Sequence, residues 1–214
     1  GRGLAMLREA GVAVECGLLE AEAQALNPGF IQRMTQGRPF VRVKLAMSLD
    51  GRTALASGQS QWLTGAAARR DVQRLRARSS AILTGVGTVL ADDPSLNVRL
   101  PEVARQPLRV ILDSGLRTPP TARTLQLPGS VLIFTAMTDP ALQQPLQAAG
   151  ADIIVAPLTE QGLDLRAVMA ELARRECNEI HVECGPTLAG ALLQAGLMDD
   201  LVIYMAPLLL GDKA

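Results

Sequence analysis

Glu183, Gly185 and Thr187 fall within one short stretch, HVECGPTLAGAL (181–192), where an apolar strand pattern gives way to a small-residue helix pattern. A glycine directly after a strand lets a ligand approach the backbone closely. Pro186 lacks an N–H that the first helical turn would leave unpaired anyway. The free N–H groups from Thr187 onward would point out of the helix start with the helix dipole behind them, an arrangement that binds phosphate. The same residues also build an ordinary strand-to-helix connection, and this stretch alone leaves both readings open.

A second glycine-rich stretch, TGVGTVLADDP (84–94), reads as a turn-rich loop that could also face a phosphate. It is not a dinucleotide fingerprint, because Leu90 occupies the third glycine position of G-x-G-x-x-G. Asp92 and Asp93 could cap a turn or, less simply, bind a metal. Arginines stand at 69, 70, 74, 76, 78 and 99. Arg76 and Arg99 could converge on a phosphate, whose geometry a guanidinium matches bidentately; the others read as a solvated helix face. Trp62 either stacks on a flat ring or fills a gap. His181, inside a strand, reads as a core or surface histidine rather than a catalytic one. Serine-hydrolase elbow, phosphate-loop lysine and paired-histidine zinc motifs do not occur.

The elements that must position these residues alternate between strand and helix. At the N-terminus the pattern gives a helix over 3–10, a short strand over 12–16, and helices over 18–26 and 29–35. Strands follow at 40–49, 80–85, 108–113, 130–135, 151–155, 179–183 and 201–207. Helices are expected at 65–78 with Thr64 as cap, at 139–149 with Asp139 as cap, at 163–174 and at 187–195. Several strands are continuously apolar, which indicates an α/β fold with a mostly parallel sheet covered by helices on both faces. Ligands of such sheets bind beyond the carboxyl ends of the strands. Those ends carry Lys44, Ser48 and Asp50, then Thr84, Gly87 and Thr88, then Asp113 and Ser114, then Glu183 and Gly185.

With 214 residues the chain holds one large domain, or one domain and a fragment of another. Charges balance at 21 against 21 and aromatics make up 2%, so neither electrostatics nor base stacking points to nucleic acid. No apolar run is long enough to span a bilayer, and the N-terminus shows no secretory signal. Three cysteines without a C-x-x-C spacing suit a reducing cytoplasm better than a disulfide framework.

The segments VRVKLAMSLDGRTAL, SQWLTG, ARRDVQRLRARSSAILTGVGTVLADDPSLNVR, PLRVILDS and VECGPTLAGALLQAGLMDDLVIYMAPLLLG carry a resemblance, running from about Asn27 to the end. They resemble the reductase part of the bifunctional riboflavin biosynthesis family, a diaminohydroxyphosphoribosylaminopyrimidine deaminase joined to a 5-amino-6-(5-phosphoribosylamino)uracil reductase. Residues 1–36 resemble the last elements of the deaminase domain, without its zinc signature, so zinc is expected only in the absent half. Residues 37–214 then form a dihydrofolate-reductase-like domain, expected to lack its C-terminal strands.

The resemblance implies NADPH as cofactor, a phosphoribosylamino-pyrimidine as substrate and a homo-oligomer. It implies cofactor contacts from Ala46, Trp62, Thr88, Asp92, Ser114, Gly185, Pro186, Thr187, Leu188, Ala189, Gly190 and Ala191. Substrate contacts are implied for Ser60, Arg76, Leu96, Arg99 and Glu183, with the arginines on the ribose phosphate and Glu183 on sugar or pyrimidine polar groups. Lys44 and Asp50 are added as catalytic candidates from strand-end position alone, Lys44 as proton donor or charge stabiliser. Two other readings stay open: a related enzyme acting on another pyrimidine or pterin, and a non-catalytic nucleotide-binding module.

Overall fold

The computed structural model describes residues 1–55, 63–103 and 105–211. Three helices open the chain, α1 (Arg2–Glu9), α2 (Glu20–Leu26) and α3 (Pro28–Gln36). Then come β1 (Phe40–Ser48), α4 (Ala66–Arg78), β2 (Ala81–Gly85), α5 (Val86–Asp92), β3 (Leu108–Leu112), β4 (Val131–Thr135), α6 (Pro140–Ala148) and β5 (Ala151–Val155). A small hairpin of β6 (Leu158–Thr159) and β7 (Gly162–Leu163) precedes α7 (Leu165–Arg174), β8 (Glu179–Glu183), α8 (Pro186–Gln194) and β9 (Asp200–Ala206).

Seven strands form one sheet in the order β5-β4-β3-β2-β8-β1-β9. Every pairing in it is parallel. Its two faces differ. Val41, Val43, Leu83, Val110, Leu132, Ile180 and Val182 pack with Val168, Met169 and Leu172 of α7 and Leu192 of α8. On the other face Ile111, Val131, Ile133 and Ala151 pack with Val89 of α5 and Leu146 of α6. That second face turns polar toward β8, β1 and β9, where α4 covers it.

Three local expectations are corrected. Residues 12–16 form no strand, since none of the described strands pairs with them and an unpaired strand is not stable in water. The loop expected over 86–95 begins as helix α5, because Val86 and Val89, one turn apart, both bury against the sheet. Gly65, rather than Thr64, occupies the N-cap of α4, with no side-chain cap bond. The caps of α6 and α7 are aspartates whose carboxylates accept first-turn N–H groups, Asp139 from Ala141 and Asp164 from Arg166 and Ala167.

α1 and α2 bury no residue, whereas α3 is docked on the sheet. Arg33 Nε donates to Asn178 Oδ1 at 2.7 Å and Gln32 Nε2 to Asp199 Oδ2 at 2.8 Å. Arg38 grips Asp199 with both terminal nitrogens at 2.7 Å. Gly29 is the point of closest approach: a Cβ there would lie 2.6 Å from the Asn178 carbonyl oxygen. That oxygen already accepts from the Phe40 N–H at 2.9 Å, which starts β1. Gly29→Ala therefore forces α3 away from the sheet. It is expected to destabilise the protein by about 1–3 kcal/mol, as overpacking does, measurable by denaturant unfolding; an unchanged midpoint would show that α3 docks elsewhere in solution. No helix among the described residues is long and apolar enough to cross a membrane.

Candidate active site

Because the sheet is parallel, all seven strands end on one edge. From β1 the chain steps to β2, β3, β4 and β5 in one direction, then returns through β8 to β9. Outgoing helices cover one face and returning helices the other. The direction reverses between the neighbours β2 and β8, and a crevice opens at such a reversal. Thr84 Oγ1 ties the two strand ends by donating to the Glu183 carbonyl at 2.7 Å. Each strand then passes through a glycine N-cap, Gly85 into α5 and Gly185 into α8, and neither helix has a side-chain cap bond. The two starts touch: a Cβ on Gly85 would lie 3.6 Å from Leu188 Cδ2.

Beside this junction stands a buried ion pair. Glu183 accepts from Arg76 Nε at 2.5 Å and from Arg76 Nη2 at 2.9 Å, and Arg76 Nη1 donates to the Asn97 carbonyl at 2.8 Å. The side chains are 8% and 16% exposed. Burial alone would raise the Glu183 pKa, but the charge of Arg76 and its two hydrogen bonds hold the carboxyl well below the usual carboxylate range. Arg76, one of the two arginines expected on the phosphate, is thus paired with Glu183.

Arg99, the other of these arginines, is held differently. It is exposed, its backbone N–H is fixed by Gln73 Oε1 at 2.8 Å, and among the described residues its side chain donates only to Asn97 Oδ1, from Nη1 at 3.2 Å. Partial burial and the like charge of Arg76 push its pKa down, with Glu183 opposing. A bound anion would relieve that repulsion. Leu96 is 1% exposed, backbone included, and has φ of 49°, a left-handed conformation unfavourable for leucine.

Lys44 is the β1 residue in register with Glu183, and the two side chains share a face. Its Nζ lies 5.9 Å from the centre of the Tyr204 ring, and it makes no hydrogen bond or ion pair among the described residues. Tyr204, the only tyrosine of the chain, donates to Asp71 Oδ2 at 2.6 Å. Burial and Asp71 push its phenol well above the ordinary value. A cleft of about 250 Å³ runs from Tyr204 to Leu63, Gly65 and Ala68 at the start of α4. Ala46 is the β1 residue in register with Tyr204.

Asp50, a catalytic candidate from its strand-end position, is held at the end of β1 by three hydrogen bonds. Its carboxylate accepts from Ser48 Oγ at 2.5 Å and from the Leu210 and Gly211 N–H groups at 3.1 and 2.8 Å. Those bonds hold its pKa down to about 2, and the two backbone contacts tie the segment after β9 to the end of β1. Among the implied cofactor contacts, Gly185, Pro186 and Thr187 are exposed at the start of α8, Leu188, Gly190 and Ala191 are half-buried, and Ala189 is buried in the core. Thr88 lies in the first turn of α5, while Asp92 closes that helix at its far end. Ser114 follows the end of β3, where its carbonyl accepts from Thr135 Oγ1 and the Ala136 N–H. Ser60 and Trp62 lie outside the described residues. No group of three or more His, Cys, Asp or Glu among the described residues could hold a metal. Burial pushes the Cys184 thiol up to about 12, which removes it as a nucleophile.

Tyr204, Asp71, Gln73 and Asn97 were not singled out from the sequence. The one available signal was Tyr204, a lone phenol inside an apolar strand whose hydroxyl needs a partner.

A parallel sheet that reverses direction beside a glycine-capped helix start, with a carboxylate, two arginines and a lysine at the same edge, is the arrangement of a dihydrofolate-reductase-like α/β domain. The chain belongs to the RibD C-terminal domain family, which matches residues 39–214. It is 47% identical over 226 residues to the riboflavin biosynthesis protein RibD of Escherichia coli K12, a match that covers all of this chain and 60% of the relative. The structure of Acinetobacter baumannii RibD superposes with a TM-score of 0.89 at 42% identity, over all of this chain and 59% of that one. A Thermotoga maritima diaminohydroxyphosphoribosylaminopyrimidine deaminase/5-amino-6-(5-phosphoribosylamino)uracil reductase superposes at 0.84 with 30% identity, over 99% and 57%. The chain thus spans about three fifths of the relatives it matches.

Proposed function

We propose that this chain uses NADPH to reduce the ribosyl group of 5-amino-6-(5-phosphoribosylamino)uracil, giving the ribitylamino product. The observation that carries this reading is the Glu183–Arg76 pair, set beside exposed Arg99 and two residues before the glycine that opens α8. A carboxylate that reads hydroxyls, a cation that reads phosphate and a helix start that reads pyrophosphate are thereby gathered at one strand end. The start of α8 suits a cofactor phosphate: Gly185 is exposed, a Cβ there would meet nothing within 4 Å, and the N-cap glycine brings no side chain to the first-turn N–H groups. Gly185, Pro186 and Thr187 are the residues that would hold it, with Thr88 of the adjoining α5.

When bound, the reduced nicotinamide supplies a hydride to the opened ribosyl carbon. The chain aligns the two molecules and handles the remaining proton. Alignment of this kind is worth about 7–11 kcal/mol in favourable cases. Lys44, cationic and beside Glu183 in register, is the residue proposed to steady charge or deliver a proton at the ribosyl oxygen. The preference for NADPH, a cytoplasmic location and a homo-oligomer come with the family resemblance. So does the reading of residues 1–36 as the end of a deaminase domain, although α3 docks on the reductase sheet.

Arg99→Ala provides the direct test. It removes a ground-state phosphate contact, so KM for the phosphoribosylamino-pyrimidine should rise about tenfold or more while kcat stays within a few-fold. Steady-state NADPH oxidation measures both constants. An unchanged KM would remove Arg99 from the phosphate site.

A further inference from the structure

One buried group beside Glu183 has no part in the reaction as described. His181, the only histidine of the chain, lies two residues before Glu183 on the same face of β8 and is 0% exposed. Its Nε2 stands 3.4 Å from Glu183 Oε1, the oxygen that Arg76 Nε also approaches. Neither ring nitrogen has a hydrogen-bond partner among the described residues. An apolar side chain would fill the same space without stranding two polar atoms, so the imidazole has to be accounted for by what it faces.

The neighbours leave one candidate. In register on β1 is Arg42, whose guanidinium is engaged by Asp200 and Glu179. In register on β2 is Ile82. From α4, Arg76 faces the same carboxylate. Glu183 is thus the acceptor within reach, and a carboxylate can only accept.

We infer that His181 is a positioning residue for Glu183: its proton sits on Nε2 and is donated to Oε1, fixing the carboxylate while a substrate hydroxyl uses a remaining lone pair. The 3.4 Å separation is a few tenths of an ångström beyond a hydrogen bond, so a small ring rotation closes it. This rests on the reading of Glu183 as a substrate contact.

Glutamine and asparagine separate the two ring nitrogens, because the glutamine amide nitrogen can take the place of Nε2 and the asparagine nitrogen only that of Nδ1. His181→Asn and His181→Met should raise KM for the phosphoribosylamino-pyrimidine about tenfold with kcat little changed, and His181→Gln should restore KM to within about threefold. Thermal melts of the Asn and Gln variants should fall together, so their KM difference is not one of stability. Glu183→Gln must itself raise KM. If it does not, the role given to Glu183 fails; if it does while the Asn and Gln variants match each other, the inference about His181 fails alone.

Should the variants not fold, the wild-type protein decides. Nitrogen NMR of its single histidine should show the proton on Nε2 and a shift of that resonance when substrate binds. A proton on Nδ1, or an Nε2 signal indifferent to substrate, overturns the inference.

Discussion

Arg76→Met should cost the protein both stability and activity. The substitution keeps most of the buried aliphatic volume but leaves the Glu183 carboxylate, 16% exposed, without its bidentate partner. Removing one member of a buried pair typically costs about 3–5 kcal/mol. The lower end is expected here, because Glu183 keeps some access to water and Arg99 stands near. A loss of about 3 kcal/mol lowers Tm by roughly 6–12 °C in a chain of this size. Activity should fall further than stability suggests. Nothing would hold the carboxylate plane, and a displacement of about 1 Å at such a group can reduce turnover about a hundredfold.

The pH dependence gives that prediction a sign. In the wild type the Glu183 pKa is depressed, so its contribution to stability is present above the unfolded value of about 4.3 and is lost as pH falls below it. Without Arg76, burial dominates and the carboxyl prefers to be protonated. The stability gap between wild type and Arg76→Met is therefore widest above the variant's raised Glu183 pKa, and narrows as pH falls through that value, above the unfolded value of about 4.3, toward the depressed wild-type one. Paired thermal melts measure it, since other carboxyls titrate alike in both proteins. Adding Glu183→Gln to Arg76→Met removes the stranded charge and should recover much of the lost stability without recovering activity. A double variant as unstable as the single one would show that the arginine acts through packing alone.

These partners show where local sequence stops being informative. The parallel sheet is legible because AILTG and VLIFT are apolar at nearly every position, as strands covered on both faces must be. The start of α8 is legible because Gly185 and Pro186 leave few alternatives to a helix N-terminus. α5 is not, because Gly87 and the Asp92-Asp93 pair imitate a turn while two valines decide the matter by burial. Arg76 and Glu183 are each visible as charged residues at useful places. That they neutralise one another across 107 positions depends on β8 entering the sheet between β1 and β2, which no local pattern records. Asp50 illustrates the same limit. Its strand-end position is visible, while the backbone partners that hold it arrive 160 residues later, at Leu210 and Gly211.

Arg109 should produce the opposite signature, a loss of stability with the chemistry intact. It is 1% exposed near the start of β3, away from the strand ends that carry the site. Its charge has no carboxylate partner among the described residues. Four carbonyl oxygens stand in: Nη1 donates to Thr124 at 2.7 Å, and Nη2 faces Leu127, Pro128 and Gly129 at 3.0, 3.1 and 2.6 Å. The guanidinium thereby gathers the loop before β4, while its own N–H donates to the Ser130 carbonyl at 3.1 Å and sets the register of β3 against β4. Gly129 allows this with φ of 106° and with the space a Cβ would occupy only 3.3 Å from Arg109 Nη2.

Arg109→Met leaves those carbonyls without their donor, and charge-assisted bonds of this kind contribute about 1.5–3 kcal/mol each when geometry is good. Because the loop can relax part of the way toward water, a net loss of about 3 kcal/mol is expected, again roughly 6–12 °C in Tm. Arg109→Lys, with a cation but no fork, should fall between the methionine variant and wild type. Below the unfolding transition both variants should keep the KM and kcat of the parent, which separates them from Arg76→Met. A methionine variant that melts like the parent would mean that the loop is held by its own turns. One that loses KM at low temperature would mean that strain at the start of β3 reaches the opposite edge of the sheet.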